Sequence, residues 1–341
     1  MKVLGIETSC DDTAVAVVED GRSIVSNVVA SQAEMHAIFG GIVPEVAARE
    51  HLVTLLPVVT RALDEAGMDL ADLDGVAVTH GPGLAGSLLI GVNSAKGLAL
   101  PKDLPLIGIN HLEGHIYAAW LDGKDPETRP GFPLVCLIAS GGHTDLILMQ
   151  DHGRFTLVGR TRDDAAGEAF DKAARVLGLG FPGGPEIQEA SKASTGEEPP
   201  FTRPRIKNSL DFSFSGLKTA VLRRAEERGL YPPSDDSEPR PQDVANIAGA
   251  FQEAAVDVMV RRTVEAAGRY RAKGVLLGGG VAANLLLREE MDRHSPVPVV
   301  VPRPSLCTDN GAMIGAAAYY RLRSGVRHQW DLDVVPDLRL G

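Results

Sequence analysis

Cysteine is scarce, with only Cys10, Cys136 and Cys307 in 341 residues. Three is an odd number, the residues lie far apart, and none forms a Cys-x-x-Cys pair. A disulfide framework is therefore excluded, and free thiols in a reducing cytoplasm are expected. Positive charge is also in deficit. The 34 Lys and Arg against 45 Asp and Glu leave a net charge of −11. That balance argues against nonspecific polyanion binding, although a local basic patch stays possible. Long apolar runs are missing too. The best stretch, Leu84 to Leu100, carries Asn93 and Lys96, so no membrane span is expected. The opening Met1–Glu7 reaches a carboxylate too soon for a signal peptide. A cytoplasmic chain without a membrane anchor is the expectation.

What is present is an ordinary globular composition, 44% hydrophobic, long enough for two domains with ample cores. Short β-branched runs bounded by turn residues predict strands at Val3–Ile6, Ala14–Val18 and Ile24–Val29. Helical periodicity follows over Pro44–Met68, with Pro57 expected to kink or divide the helix. Val76–Val78 and Leu106–Ile109 read as strands around a close-packed helix at Leu84–Leu100. Then the order restarts: strand Phe132–Ala139, glycine turn, strand Leu146–Met149, turn, strand Phe155–Gly159. Two copies of one unit, about 130 residues apart, imply two similar domains facing each other across a cleft. Helices are predicted at Asp164–Leu177, Asp243–Tyr270, Ala282–Met291 and Asn310–Arg321, and strands at Val275–Leu277 and Val297–Val301. Residues 191 to 241 read as an irregular insertion, with Ser234–Pro241 a mobile loop.

The chemistry-bearing motifs begin with His111 and His115. Four residues apart on a helix, they share one face, and two imidazoles there can grip one transition metal. The zinc-protease pattern needs a glutamate directly after the first histidine. Leu112 stands there instead, and Glu113 falls about 200° around the helix, on the wrong face. Asp309, at the start of the last helix, is either an ordinary N-cap or a carboxylate third ligand beside the histidines. Gly278-Gly279-Gly280 follows a strand, where backbone N–H groups can approach an anion or a nucleotide. It is neither a Walker A loop nor the dinucleotide fingerprint. Ser140-Gly141-Gly142-His143-Thr144 is a second glycine turn, which taken alone reads as a hairpin turn, and Asp171 either accepts hydrogen bonds from a ribose or belongs to an exposed charged face.

Taken in order, these segments resemble one family. They are Gly5–Thr13, His36–Ala47 with its Gly-Gly-Ile-Val-Pro-Glu core, Gly81–Leu84, His111–His115, Ser140–Thr144, Asp164–Lys172, Phe181–Pro185, Asp211–Lys218 and Gly278–Asn284. Over essentially its whole length the chain resembles the universal tRNA threonylcarbamoyladenosine transferases, called TsaD in bacteria and formerly labelled sialoglycoproteases.

The resemblance implies an α/β fold of duplicated RNase H-like domains, of the actin, hexokinase and Hsp70 type. The first domain would span residues 1–130, completed by the helix at about 309–325, and the second 131–308. It implies that His111, His115 and Asp309 hold one divalent iron or zinc ion. It implies that Ile138, Ala139, Ser140, Gly141, Gly142, Asp171, Gly184 and Asn284 contact the donor, threonylcarbamoyl-AMP. Archaeal relatives add a tyrosine ligand shortly after the glycine turn. Here Thr144–Met149 contains none, so that ligand is absent. The reaction implied is acyl-type transfer to the N6 amine of the adenosine 3′ of the anticodon, with Asp11 the candidate for steering or deprotonating the amine. The implied partners are tRNA, the inactive paralogue TsaB, the P-loop ATPase TsaE and an upstream adenylate-synthesising enzyme. Arg203, Arg205 and Lys207 are candidates for a phosphate contact. A kinase or chaperone of the same fold is the competing reading, but it has no need of the histidine pair.

Overall fold

The structure, a computed structural model, describes residues 1–203, 206–232 and 240–341. The strands are β1 (Lys2–Glu7), β2 (Asp12–Glu19), β3 (Ser23–Ser31), β4 (Gly75–Gly81), β5 (Leu106–Asn110), β6 (Leu134–Ala139), β7 (Thr144–Asp151), β8 (Arg154–Arg160), β9 (Gly274–Gly278) and β10 (Val299–Val300). The helices are α1 (Ala33–Ala37), α2 (Pro44–Ala66), α3 (Ala85–Ala99), α4 (His111–Tyr117), α5 (Ala166–Val176), α6 (Gly183–Ser191), α7 (Ser215–Glu227), α8 (Pro241–Arg269), α9 (Leu285–His294) and α10 (Gly311–Arg323).

The chain divides into two compact units. One comprises Met1–Arg129, Asp151–Phe155 and Pro302–Gly341, the other Pro130–Gln150 and Thr156–Val301. The first sheet runs β3-β2-β1-β4-β5 and the second β10-β9-β6-β7-β8. Read from the other edge, the second order is the first again. In each, the opening strand pairs antiparallel with the next and parallel with the strand that follows a helix. The fold is α/β, built from duplicated domains of the actin, hexokinase and Hsp70 type. The repeat of strand, turn, strand read from the sequence is this duplication.

In the first unit, β1, β2 and β4 are buried along nearly their whole length, which is why they read as continuous apolar runs rather than alternating ones. Against one face lie α2 and α3, whose Leu55, Val59, Ala62, Val92 and Ala95 join Leu4, Ile6, Val15, Val17 and Val76 in one core. α10 belongs to the same unit and comes into direct backbone contact with β1. A Cβ on Gly5 would stand 2.3 Å from the Gly311 carbonyl and 2.5 Å from the Gly315 nitrogen.

Four expectations need correction. α2 runs through Pro57 as one helix; it is not divided there. The region expected to be irregular contains α7, opened by Phe214 and held by Asp163, whose carboxylate accepts from the Phe214 and Ser215 N–H groups and from both flanking serine hydroxyls. The last predicted helix of the second unit starts at Leu285 rather than Ala282, because residues 280–283 form a 3-10 turn. The loop expected at Ser234–Pro241 lies mostly outside the described residues, and Pro241 itself opens α8 at the first helical position, where a missing N–H costs nothing.

The strand–helix contact yields a test. Gly5→Ala puts a methyl group into backbone that cannot rotate away, so it should destabilise the chain by about 1–3 kcal/mol or more. Urea unfolding of the variant against the wild type measures this.

Candidate functional site

The parallel strands β1, β4 and β5 end beside one another at Glu7, Gly81 and Asn110. Asn110 caps α4, its Oδ1 accepting from the Leu112 N–H at 2.9 Å and the Glu113 N–H at 3.4 Å. That cap starts the helix on His111, so one turn later His115 shares its face. Gly114 lies between them; a Cβ there would press on Ile314 and Met313 of α10. α10 is capped not by Asp309, as one reading of the sequence had it, but by Asn310, whose Oδ1 accepts from the Met313 N–H at 3.0 Å. Asp309 is thereby left to face the histidines.

The three side chains meet. Asp309 Oδ1 stands 3.2 Å from His115 Nε2 and 3.6 Å from His111 Nε2, and one ligand atom from each residue lies within 4.8 Å of the others. His115 is fully buried, and although Asp309 stands close to its Nε2, neither ring nitrogen makes a well-aligned hydrogen bond. A buried imidazole left so is costly and fits a group that a cation would satisfy. His111 is held from behind. Its Nδ1–H donates to Glu7 Oε2 at 3.1 Å, with Ser9 Oγ at the same distance. A carboxylate behind an imidazole fixes the tautomer and aims Nε2 outward, as behind metal-binding histidines generally. Glu7 is fixed in turn by the Thr79 hydroxyl and the Ser9 N–H, both at 2.5 Å.

The electrostatics agree. Burial works against a charged His111, but Asp309 and Glu7 outweigh it and lift the ring to about 9. Burial likewise opposes ionising Glu7, yet His111 holds that carboxyl below the usual range. The cluster of acids therefore favours positive charge beside it, and a cation at the triad would supply that charge in place of a proton. Asp11, half-buried on the turn after β1, is raised by burial and then by Asp309. Asp12 is raised to about 7, again by burial first, with Asp309, Asp11 and Glu7 adding to it.

Glu113 faces away from the triad. It is buried and paired with Arg321 of α10, accepting from Nε at 2.7 Å and from the terminal nitrogen at 2.9 Å. Its job is to lock α4 to α10, which removes it as the base of a metalloprotease.

The second unit carries the other predicted residues, at and just beyond the ends of β6 and β9 and on α5 and α6. Ile138 and Ala139 are fully buried, so they offer a ligand no side-chain surface. The Ser140 hydroxyl accepts from the His143 N–H, and the Ser140 carbonyl from the Gly167 N–H at 3.1 Å, which seats α5 on this turn. Gly279, at φ +83°, lies against the Ala139 carbonyl, which a Cβ would approach to 2.4 Å. A Cβ on Gly141, Gly142, Gly184 or Gly280 would meet nothing within 4 Å. Their main chain is open to a ligand. Asp171 accepts from the Gly183 N–H at 2.7 Å, and burial raises its carboxyl. The Asn284 side chain is engaged at both ends: Oδ1 caps α9 through the Leu287 N–H, and Nδ2 donates to Gln252 Oε1. Arg203 pairs with Asp257 at 2.8 Å, Lys207 is exposed, and Arg205 lies outside the described residues.

A family model described as TsaD: tRNA N6-adenosine threonylcarbamoyltransferase matches residues 23–316. The chain belongs to this family. It is 53% identical over 356 residues to the tRNA N6-adenosine threonylcarbamoyltransferase of Thermomicrobium roseum, covering 100% of this chain and 97% of that protein. To the enzyme of the same name from Dehalococcoides mccartyi it is 52% identical, covering 99% of each. Among solved structures, HypF of T. kodakarensis shares the fold at a TM-score of 0.63 and 13% identity, over 95% of this chain and 48% of that one.

Glu7, Ser9, Asn110 and Arg321 escaped the sequence reading. A glutamate closing an apolar strand was the available signal for Glu7; nothing local marks Arg321, which lies 208 residues from its partner.

Two outcomes are expected for a transferase of this family with this site. His111→Ala combined with His115→Ala should stay folded and lose bound metal; stoichiometric metal in that double variant, by elemental analysis, would remove the assignment. Asp12 has a folded value above the ~3.9 of an unfolded aspartate. The native state therefore favours the protonated form, and this contribution is present below about pH 4 and lost as pH rises through 7. Asp12→Asn should raise Tm more at pH 8 than at pH 5 in metal-free protein.

Proposed function

We propose that this chain transfers the threonylcarbamoyl group from threonylcarbamoyl-AMP to N6 of the adenosine 3′ of the anticodon, in tRNAs reading codons that begin with A. The observation that carries the reading is the triad of two buried histidines, His111 and His115, with the part-buried Asp309, backed by Glu7, in a chain of the threonylcarbamoyltransferase family. The donor is a mixed anhydride. The N6 amine attacks the carbamoyl carbon, the carbon–oxygen bond to phosphate breaks, AMP leaves with the electron pair, and the amine gives up a proton.

His111, His115 and Asp309 would hold divalent iron or zinc, which when bound supplies Lewis acidity toward a carbonyl oxygen. Glu7 and Ser9 hold His111 in the orientation that binding requires. Asp11 steers the amine and takes its proton; a carboxyl raised by burial is a stronger base than an exposed one. The open main chain at Gly141, Gly142 and Gly184 receives the adenylate, with Asp171 on the ribose. Asn284 contributes by holding the start of α9 rather than by a free amide.

The setting is the cytoplasm, and no described helix is long and apolar enough to cross a membrane. With a net charge of −11, the chain alone should bind tRNA weakly, because polyanion binding needs clustered cations. TsaB and TsaE are the proposed helpers, and another enzyme makes the adenylate. α2 offers TsaB an apolar strip: Leu52, Val53 and Leu56 are 67%, 71% and 59% exposed, with Leu89 of α3 also exposed.

The test is modification of tRNA by purified chain with synthetic donor, with and without both partners. Multiple turnover is expected only with the partners, and Leu52→Glu with Leu56→Glu should abolish their effect. Full turnover by the chain alone would refute partner dependence, and no transfer with both partners would refute the function.

A further inference from the structure

Two buried histidines lie outside the triad, and both connect α1 and α2 to the turn that carries Asp11. His51, on the inner face of α2, is fully buried. Its Nε2 stands 3.0 Å from the Cys10 carbonyl and its Nδ1 2.7 Å from the Thr13 hydroxyl. A carbonyl only accepts, so Nε2 carries the proton, and Nδ1 accepts from Thr13. Burial keeps this ring below the usual histidine range, which preserves the acceptor. One side chain thus grips the chain on both sides of Asp11 and Asp12.

His36 makes the same kind of link one step out. Its Nδ1 accepts from the Val43 N–H at 3.3 Å, and its Nε2 donates to Gln32 Oε1 at 3.1 Å. Gln32 donates its side-chain amide to the Ala47 carbonyl and its N–H to the Asp11 carbonyl at 3.1 Å. The first half of the turn is held separately by the α3 end, through Leu84 N–H to the Ser9 carbonyl and the Thr8 hydroxyl to the Ser87 carbonyl. Asp12 and Thr13 are also tied into the ladder with β3, so within the turn it is Cys10 and Asp11 that His51 and Gln32 hold.

We infer that His51 is a positioning residue of the transfer reaction, setting where the Asp11 carboxylate stands by holding Cys10 and Thr13 to α2. The inference rests on the proposed role of Asp11. The apolar strip begins at the next residue, Leu52, so whatever covers it bears on the helix that carries His51.

The experiment uses the full chain with both partners, synthetic threonylcarbamoyl-AMP and tRNA. His51→Ala should lower kcat by about tenfold to a hundredfold, with the donor KM and the metal content changed by less than about twofold. His51→Gln, whose amide reaches the ε position and can donate to Cys10, should recover most of the turnover. His51→Asn, which reaches only Thr13, should not. Thr13→Val keeps the imidazole, removes one of its bonds and should fall between. Wild-type turnover in His51→Ala overturns the inference. So does a loss that Gln fails to recover and that metal content follows, the pattern of a packing role. Absence of transfer by the wild-type chain would instead remove the proposed function, and this inference with it.

Discussion

A helix lies against a strand with no side chain between them, and the first unit depends on that contact. Gly5 of β1 faces Gly311 and Gly315 of α10 so closely that a single methyl group would collide with main chain. The approach puts the start of α10, and Asp309 just before it, beside the ends of β1 and β5. The Glu113–Arg321 pair then fixes the angular position of α4 against α10. Glu113 is buried while Arg321 is partly exposed, so it is removal of Arg321 that would leave a charge buried without its partner. The residue that looks like a misplaced protease base is in this way the brace of the metal site.

That brace allows an arrangement that would otherwise be unfavourable. Burial pushes against charge on Glu7, Asp11 and Asp12, and the nearby Asp309 adds to that push on each of the three. His111, lifted to about 9, is the cationic partner of Glu7, while His36 and the Ser31 side chain offset Asp11 and Asp12 in part. A site that concentrates negative charge around two imidazoles is poorly balanced without a cation and well balanced with one. Asp11 and Asp12 also acquire the raised values that suit proton transfer.

Much of this was legible in the residues, for identifiable reasons. Parallel strands buried on both faces announce themselves as apolar runs, and the strand–turn–strand order repeated plainly, so the duplication could be read. The histidine pair could be read because helical spacing is local. Capping was harder. Asp309 and Asn310 are both good caps by type, and only the packed helix shows that Asn310 takes the role. The same holds for α7, whose start is set by Asp163 some fifty residues earlier. Pro57 does not divide α2, because a proline disturbs a single turn and the helix has enough buried apolar contact to absorb it. Arg321 had no local signal at all.

The two clusters differ in what they offer. In the first unit, side chains do the work, each held by a second residue: His111 by Glu7, α4 by Asn110, the Asp11 turn by His51. In the second, Ile138 and Ala139 are covered and Asn284 is occupied at both ends, while four glycines present bare main chain to open space. Main-chain N–H groups recognise a phosphate or a ring edge without regard to side-chain chemistry. Imidazole and carboxylate select a metal and move a proton. The duplicated fold has therefore diverged at its strand ends, one copy leaving the turn as open main chain while the other fills it with titratable groups. The first copy's turn between β1 and β2 carries Asp11 and Asp12, where the second copy's turn between β6 and β7 carries Gly141 and Gly142. The same position in the same topology thus holds acids in one copy and glycines in the other.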